Sequence, residues 1–299
     1  MPIFWRIYNN DLTPVFETSA LGFPIEDPSY IPDEYLQNRK FIVYRTCHSI
    51  GDWGIISAMP KLLKTKYPDC KVYVPSTKLI QNMFGNFTNW NHWNNPFQNA
   101  ELVFKNNPYV DGFIDSIDDE VFHDHYRIYD TENVEIPLIK QMLKFWQFSE
   151  EEMEDCLPEL YFSQEEKDLG DSVISQYFKN QSFGTLLLTN TVKEYYSDQI
   201  NNLLLEETSK YQDLPYFYYG SKSITDTIFK DLKYVDFKSL NLPIRIQLYI
   251  KTKAMVNIGY QSGVNDSVCR YSKVICTPST GNIGADYLPA ITYKKSFTI

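Results

Sequence analysis

The alternation of apolar and polar positions becomes regular at residue 41. "FIVYRT" (41–46) is a short apolar run of the kind a buried strand carries, and the period then changes. Trp53, Ile55, Ile56, Met59, Leu62, Leu63 and Tyr67 recur at steps that trace one face of a helix. Pro60 lies inside that face, so the helix either kinks there or properly starts near it. "KVYVP" (71–75) reads as the next strand, and "NPYVDGFIDS" (107–116) as a turn followed by a short strand. "EIPLIKQMLKFWQF" (135–148) has an amphipathic helical period. The acidic run "SEEEMED" (149–155) reads as the solvated ends of helices and a linker, with a Pro-marked break and another helix after it.

A second series begins at Phe183. "FGTLLLTNT", "PYFYYGS", "AMVNIGYQSG" and "KVICTP" read as strands, and "DQINNLLLEETSKY" and "IRIQLYIKTK" as helices. Strands alternating with helices imply an α/β fold with mostly parallel sheets covered on both faces. The spacing predicts an irregular extension over 1–40 lying on the first domain, a first α/β domain plus linker over 41–180, and a second α/β domain over 181–299. Open α/β sheets bind ligands beyond the carboxyl ends of their strands, and two such units facing each other would form a cleft.

Composition narrows the partners. The net charge is −10, the opposite of what a polyphosphate-binding surface needs, so neither a nucleic acid polymer nor an anionic membrane is expected. No apolar run reaches the ~20 residues of a membrane span, and the first residues lack the layout of a secretion signal. The five cysteines, Cys47, Cys70, Cys156, Cys269 and Cys276, form no Cys-x-x-Cys pair and read as reduced thiols of a cytoplasmic protein.

Three strand exits carry candidate chemistry. In Ser49-Ile50-Gly51-Asp52, Gly51 permits a tight turn and close ligand approach, and Asp52 is either a helix N-cap or a general base. His48, beside that turn, either lines the cleft or is a structural histidine. In "LTNTVKEYYS" (188–197), Thr189 and Lys193 are suited to phosphate oxygens, against the simpler reading of a solvated turn. In "GYQSGVNDS" (259–267), Ser262, Gly263 and Val264 can present successive N–H groups to a diphosphate, although the Gly-x-Gly-x-x-Gly pattern is absent. "FHDHYRIYD" holds His123, Asp124, His125 and Asp130, but without further ligands it reads as a polar loop, and no metal is expected. Trp90, His92 and Trp93 form either a sugar platform or an aromatic-anchored loop. Asn86 and Asn265 open N-glycosylation patterns that carry little weight without a secretion signal.

Taken in order, these segments resemble the ADP-heptose:lipopolysaccharide heptosyltransferase family of glycosyltransferases (family 9). "SIGDWGIISAMPKLLKTKYPDCKVYV" is similar to the family's Ser-x-Gly-Asp opening, and "NNPYVDGFI" to its Asn-Pro-x-x-Asp turn. "TVKEYYSDQINNLL" is similar to its Lys-x-Trp-Pro helix start, "FYYGS" to a strand ending in Gly, and "LYIKTKAMVNIGYQSGVNDS" to its Asp-Thr-Gly turn. The resemblance covers roughly residues 41–290. It implies a GT-B fold of two facing Rossmann-like domains, the first acceptor-side and the second binding a nucleotide sugar.

It also implies inverting, metal-independent transfer from a nucleotide-diphosphate sugar to a carbohydrate or glycoconjugate hydroxyl, without a cofactor. Asp52 would be the general base. Thr189, Lys193, Ser262, Gly263 and Val264 would hold the donor diphosphate, with Ser49, Gly51 and His48 lining the cleft. The chain departs from the family where Asp-Thr-Gly becomes Gln261-Ser262-Gly263, where a histidine becomes Asp266, and where the aromatic-Pro after the lysine becomes Tyr195-Tyr196. Those departures leave a second reading, a binding or structural protein that keeps the fold without the activity. A third, an oxidoreductase with a dinucleotide-binding domain, is disfavoured by the absent glycine pattern.

Overall fold

The computed structural model describes residues 5–8, 14–17, 40–43, 50–84, 96–116, 123–124, 139–140, 143, 148–188, 204–220, 232–260, 262–277 and 291–293. The chain divides into two units, Met1–Tyr161 with Gly284–Tyr287, and Phe162–Ile283 with Leu288–Ile299.

In the first unit, β1 (Trp5–Tyr8) and β2 (Pro14–Glu17) pair antiparallel, so part of the stretch expected to be irregular is a two-stranded ribbon. The main sheet contains β3 (Lys40–Ile42), β4 (Lys71–Pro75), β5 (Gly112–Ile114) and β6 (His123–Asp124). Its spatial order is β5-β4-β3-β6, with every pair parallel. Between β3 and β4 the single helical face of the sequence is divided. Helix α1 (Ile50–Gly54) is followed by turns over 55–58, and α2 (Met59–Lys66) begins with Pro60 in its first turn, where the missing N–H goes unused. Trp53, Met59, Leu63 and Tyr67 are all fully buried, and Phe41 of β3 stacks on Tyr67 at 5.7 Å between ring centres. One apolar face therefore spans two helices and packs onto the sheet.

Among the described residues, the second unit holds six parallel strands: β7 (Gly184–Leu187), β8 (Tyr216–Tyr219), β9 (Tyr234–Asp236), β10 (Val256–Tyr260), β11 (Lys273–Thr277) and β12 (Ile291–Tyr293). Their order is β12-β11-β10-β7-β8-β9, the doubly wound arrangement whose direction of winding reverses between β7 and β10. Period-two alternation sends side chains to two cores. Leu186, Tyr216, Tyr218, Val256, Ile258 and Ile275 fill one face. Phe217 joins Val173, Phe178, Phe183, Ile246 and Ile250 on the other.

The main segment of the first unit ends at Tyr161. Helix α3 (Gln164–Phe178), counted with the first domain from the sequence, packs on α4 (Ile244–Lys253) of the second unit. Ser163 and Glu166 close a capping box at its start, and Glu166 then takes a bidentate pair from Arg245, at 2.6 and 2.8 Å.

Candidate functional site

In the first unit the chain enters α1 beyond the carboxyl end of β3, the strand at which that sheet reverses its winding. Asp52 is the third residue of α1, half-buried between the buried Gly51 and Trp53. It therefore sits inside the first turn and not at the N-cap position ahead of Ile50. The helix dipole still favours a carboxylate there. Ser49 and His48 lie outside the described residues.

The far end of α1 is tied down by buried polar groups. Ser57 Oγ donates to Gly54 O at 2.6 Å and accepts from the Glu159 amide at 2.8 Å. The buried Glu159 carboxylate accepts from Lys61 Nζ at 2.7 Å and from the Tyr161 hydroxyl at 2.5 Å. Glu159 and Tyr161, at the end of the first unit's main segment, thus clamp the helix pair that carries Asp52. Nothing in the apolar period points to Ser57 or Glu159, which meet across 102 residues of chain.

In the second unit, the segment with Thr189 and Lys193 follows β7, and the Ser262-Gly263-Val264 turn follows β10. These are the two strands that flank the winding reversal. Thr189 and Lys193 lie outside the described residues. Ser262 has extended backbone, φ −150° and ψ 148°, and precedes the short helix α5 (Gly263–Asp266). Its buried hydroxyl makes no hydrogen bond to the described residues. Gly259, opposite Leu187, is required by close approach: a Cβ there would lie 2.5 Å from Leu187 O.

A buried polar chain that sequence reading missed lies behind this turn. Lys251 Nζ of α4 donates to Thr185 Oγ1 of β7 at 2.9 Å and to Asn265 Oδ1 at 2.8 Å. Thr185 donates to Asn257 Oδ1 of β10 at 2.6 Å, and Asn257 Nδ2 donates to Ser272 Oγ, also at 2.6 Å. Asn265 Nδ2 donates to Tyr260 O at 3.2 Å. Burial pushes the Lys251 amine down to about 7, with the Cys276 thiol opposing the shift, and burial pushes that thiol well up. The signal that marks this group in the sequence is polarity in apolar company: Asn257 inside "VNIGY", and Lys251 in "LYIKTK". Asn265 is fully buried, which excludes glycosylation of the folded chain there.

His123 and Asp124 form strand β6, while His125, Asp130, Trp90, His92 and Trp93 lie outside the described residues. Among the described residues, no group of three or more His, Cys, Asp or Glu is placed to hold a metal, and no helix is long and apolar enough to cross a membrane.

No family model and no curated protein matches the chain. Solved structures do. A glycosyl transferase family 9 protein from Veillonella parvula DSM 2008 aligns with a TM-score of 0.53 at 10% identity, covering 87% of each chain. The E. coli ADP-heptose lps heptosyltransferase II aligns with a TM-score of 0.52 at 9% identity, covering 87% of this chain and 91% of that one. With its two parallel α/β units in series, this protein has the fold of the GT-B glycosyltransferases.

Proposed function

We propose that this protein is a glycosyltransferase that moves a sugar from a nucleotide-diphosphate donor to a hydroxyl of a carbohydrate or glycoconjugate acceptor. The observation that carries the reading is topological. In a chain with the fold of known glycosyltransferases, each candidate turn follows a strand at which its parallel sheet reverses winding, where such sheets receive ligands.

In this reading the first unit supplies the base. Asp52, in the first turn of α1, takes the proton of the acceptor hydroxyl as its oxygen attacks the anomeric carbon. The second unit holds the departing diphosphate with Thr189, Lys193, the Ser262 hydroxyl and the amides of Gly263 and Val264. Charge grows on the diphosphate as the glycosidic bond breaks, so donors aimed at it stabilise the transition state more than the ground state. Attack opposite the leaving group inverts the anomeric centre, and neither metal nor cofactor takes part. A cytoplasmic location suits a soluble nucleotide sugar as donor.

Calorimetric titration with ADP, GDP, UDP, CDP and dTDP tests the donor half. Saturable binding of one of them is expected, weakened by about tenfold in Lys193→Ala. Transfer from the corresponding nucleotide sugar is then expected to fall by about 100-fold or more in Asp52→Asn, with nucleotide affinity unchanged. A chain that binds none of the five nucleotides overturns the reading in favour of a fold retained without the chemistry.

A further inference from the structure

We propose that Lys251 is a positioning residue for the turn at residues 262–264, and that an anionic diphosphate received at that turn draws a proton onto the Lys251 amine. The second clause rests on the donor-site reading above, whereas the first stands on geometry alone.

Lys251 sits between the sheet and its covering helix, at the reversal between β7 and β10. Its amine joins Thr185 on one strand to Asn265 beyond the other. Asn265 is the lever. Its Oδ1 is held by the amine while its Nδ2 holds Tyr260 O at the end of β10, so one side chain spans the turn from inside. The Asn265 and Asp266 amides close the same turn onto Ser262 O, each at 2.9 Å, and the Ser267 amide bonds Gly263 O at 3.0 Å. A leucine-like residue at 251 would fill the space but leave Asn265 Oδ1 without this donor in a dry interior.

The surroundings favour a proton switch at this amine. The described elements packed against it present few ionisable groups. Strands β7 and β10 offer Thr185 and Asn257, β11 offers the Cys276 thiol, and the turn's own helix leads to Asp266 and Cys269. Burial lowers the amine from the ordinary lysine range to about 7, which favours its neutral form above that pH. Either form donates to both Thr185 and Asn265, so the turn keeps its shape while its charge varies. A bound diphosphate adds negative charge a few residues away in a medium that screens poorly, and favours the ammonium form.

Two measurements test the proposal on Lys251→Met, Asn265→Ala and, as a control on the far side of the same amine, Thr185→Val. In hydrogen exchange without ligand, the amides of residues 265–267 are expected to exchange about tenfold faster in the first two variants and within about twofold of wild type in the third. Equal acceleration in all three, or none in Lys251→Met, overturns the positioning role. Should Lys251→Met not fold, Asn265→Ala against Thr185→Val decides the same question.

The second measurement titrates the tightest nucleoside diphosphate of the five at pH 8 in two buffers of different ionisation enthalpy. Wild type is expected to take up a fraction of a proton on binding, and Lys251→Met or, if it does not fold, Asn265→Ala to take up less. Uptake that is absent in wild type, or the same in the variant, overturns the proton clause. A wild type that binds none of the five overturns the donor-site reading and the proton clause together, and leaves the exchange result to judge the positioning role.

Discussion

Asp111 closes the Asn107–Asp111 turn that drew attention in the sequence, and its contacts are those of a fastener. The Asn107 Oδ1 accepts from the Tyr109 amide at 2.9 Å, and Asp111 Oδ2 accepts from the Val72 amide at 2.7 Å. Lys64 and Lys71 approach the same carboxylate at 2.6 and 3.2 Å. Burial pushes the Asp111 carboxyl up, but the Lys64 ammonium, the Val72 N–H and Lys71 together outweigh it and hold the group below its ordinary range. A carboxyl depressed on folding adds stability that is complete above its unfolded pKa and is lost as pH falls through the folded value. Asp111→Ala is therefore expected to lower stability by about 2 kcal/mol at neutral pH. In urea melts at several pH values, the difference from wild type should shrink as the pH drops below about 4. A constant difference down to pH 2 would argue against the ionic origin.

Helix α3 shows what decides membership of an element. Its sequence marks a start, Ser163 with Glu166 three residues on, but is silent about which sheet it covers. Gly170 settles that question, because a Cβ there would run into the Tyr249 ring of α4. The fully paired Glu166–Arg245 bridge locks the crossing, with Arg245 also lying over the Phe162 ring at 5.1 Å. Removing the carboxylate leaves a buried guanidinium without it, so Glu166→Ala is expected to cost about 3 kcal/mol, more than the ~1 kcal/mol of a lost cap. Thermal melts of Glu166→Ala beside Ser163→Ala separate the two contributions. Similar small losses in both would show the bridge to be dispensable.

At the scale of the molecule, a boundary at 161/162 makes a prediction that the sequence-based one at 180 does not. A chain of residues 162–299 keeps Phe217, Ile246 and Ile250 covered by Val173 and Phe178, whereas residues 181–299 leave them uncovered. The longer fragment is expected to melt cooperatively and the shorter one to bind a hydrophobic dye without a transition. Equal behaviour of the two would place α3 outside the folding unit.

Strands β3, β4, β5, β7, β8, β10 and β11 and the parallel sense of the sheets were legible from residue 41 onward, because burial on one or both faces imposes a period on the chain, whereas the short β6, β9 and β12 were not, and β6 lies in a stretch that reads as a polar loop. Local chemistry was legible too, as in Pro60 at a helix start, whereas Gly51, read as a tight turn, lies within α1. What periodicity leaves open are the partners of polar groups far apart in sequence. Thr185 and Lys251 are 66 residues apart, Ser57 and Glu159 are 102, and each reads alone as an ordinary polar residue. Only the tertiary structure decided that they meet, since a buried polar group must find its hydrogen bonds wherever the fold brings a partner within reach.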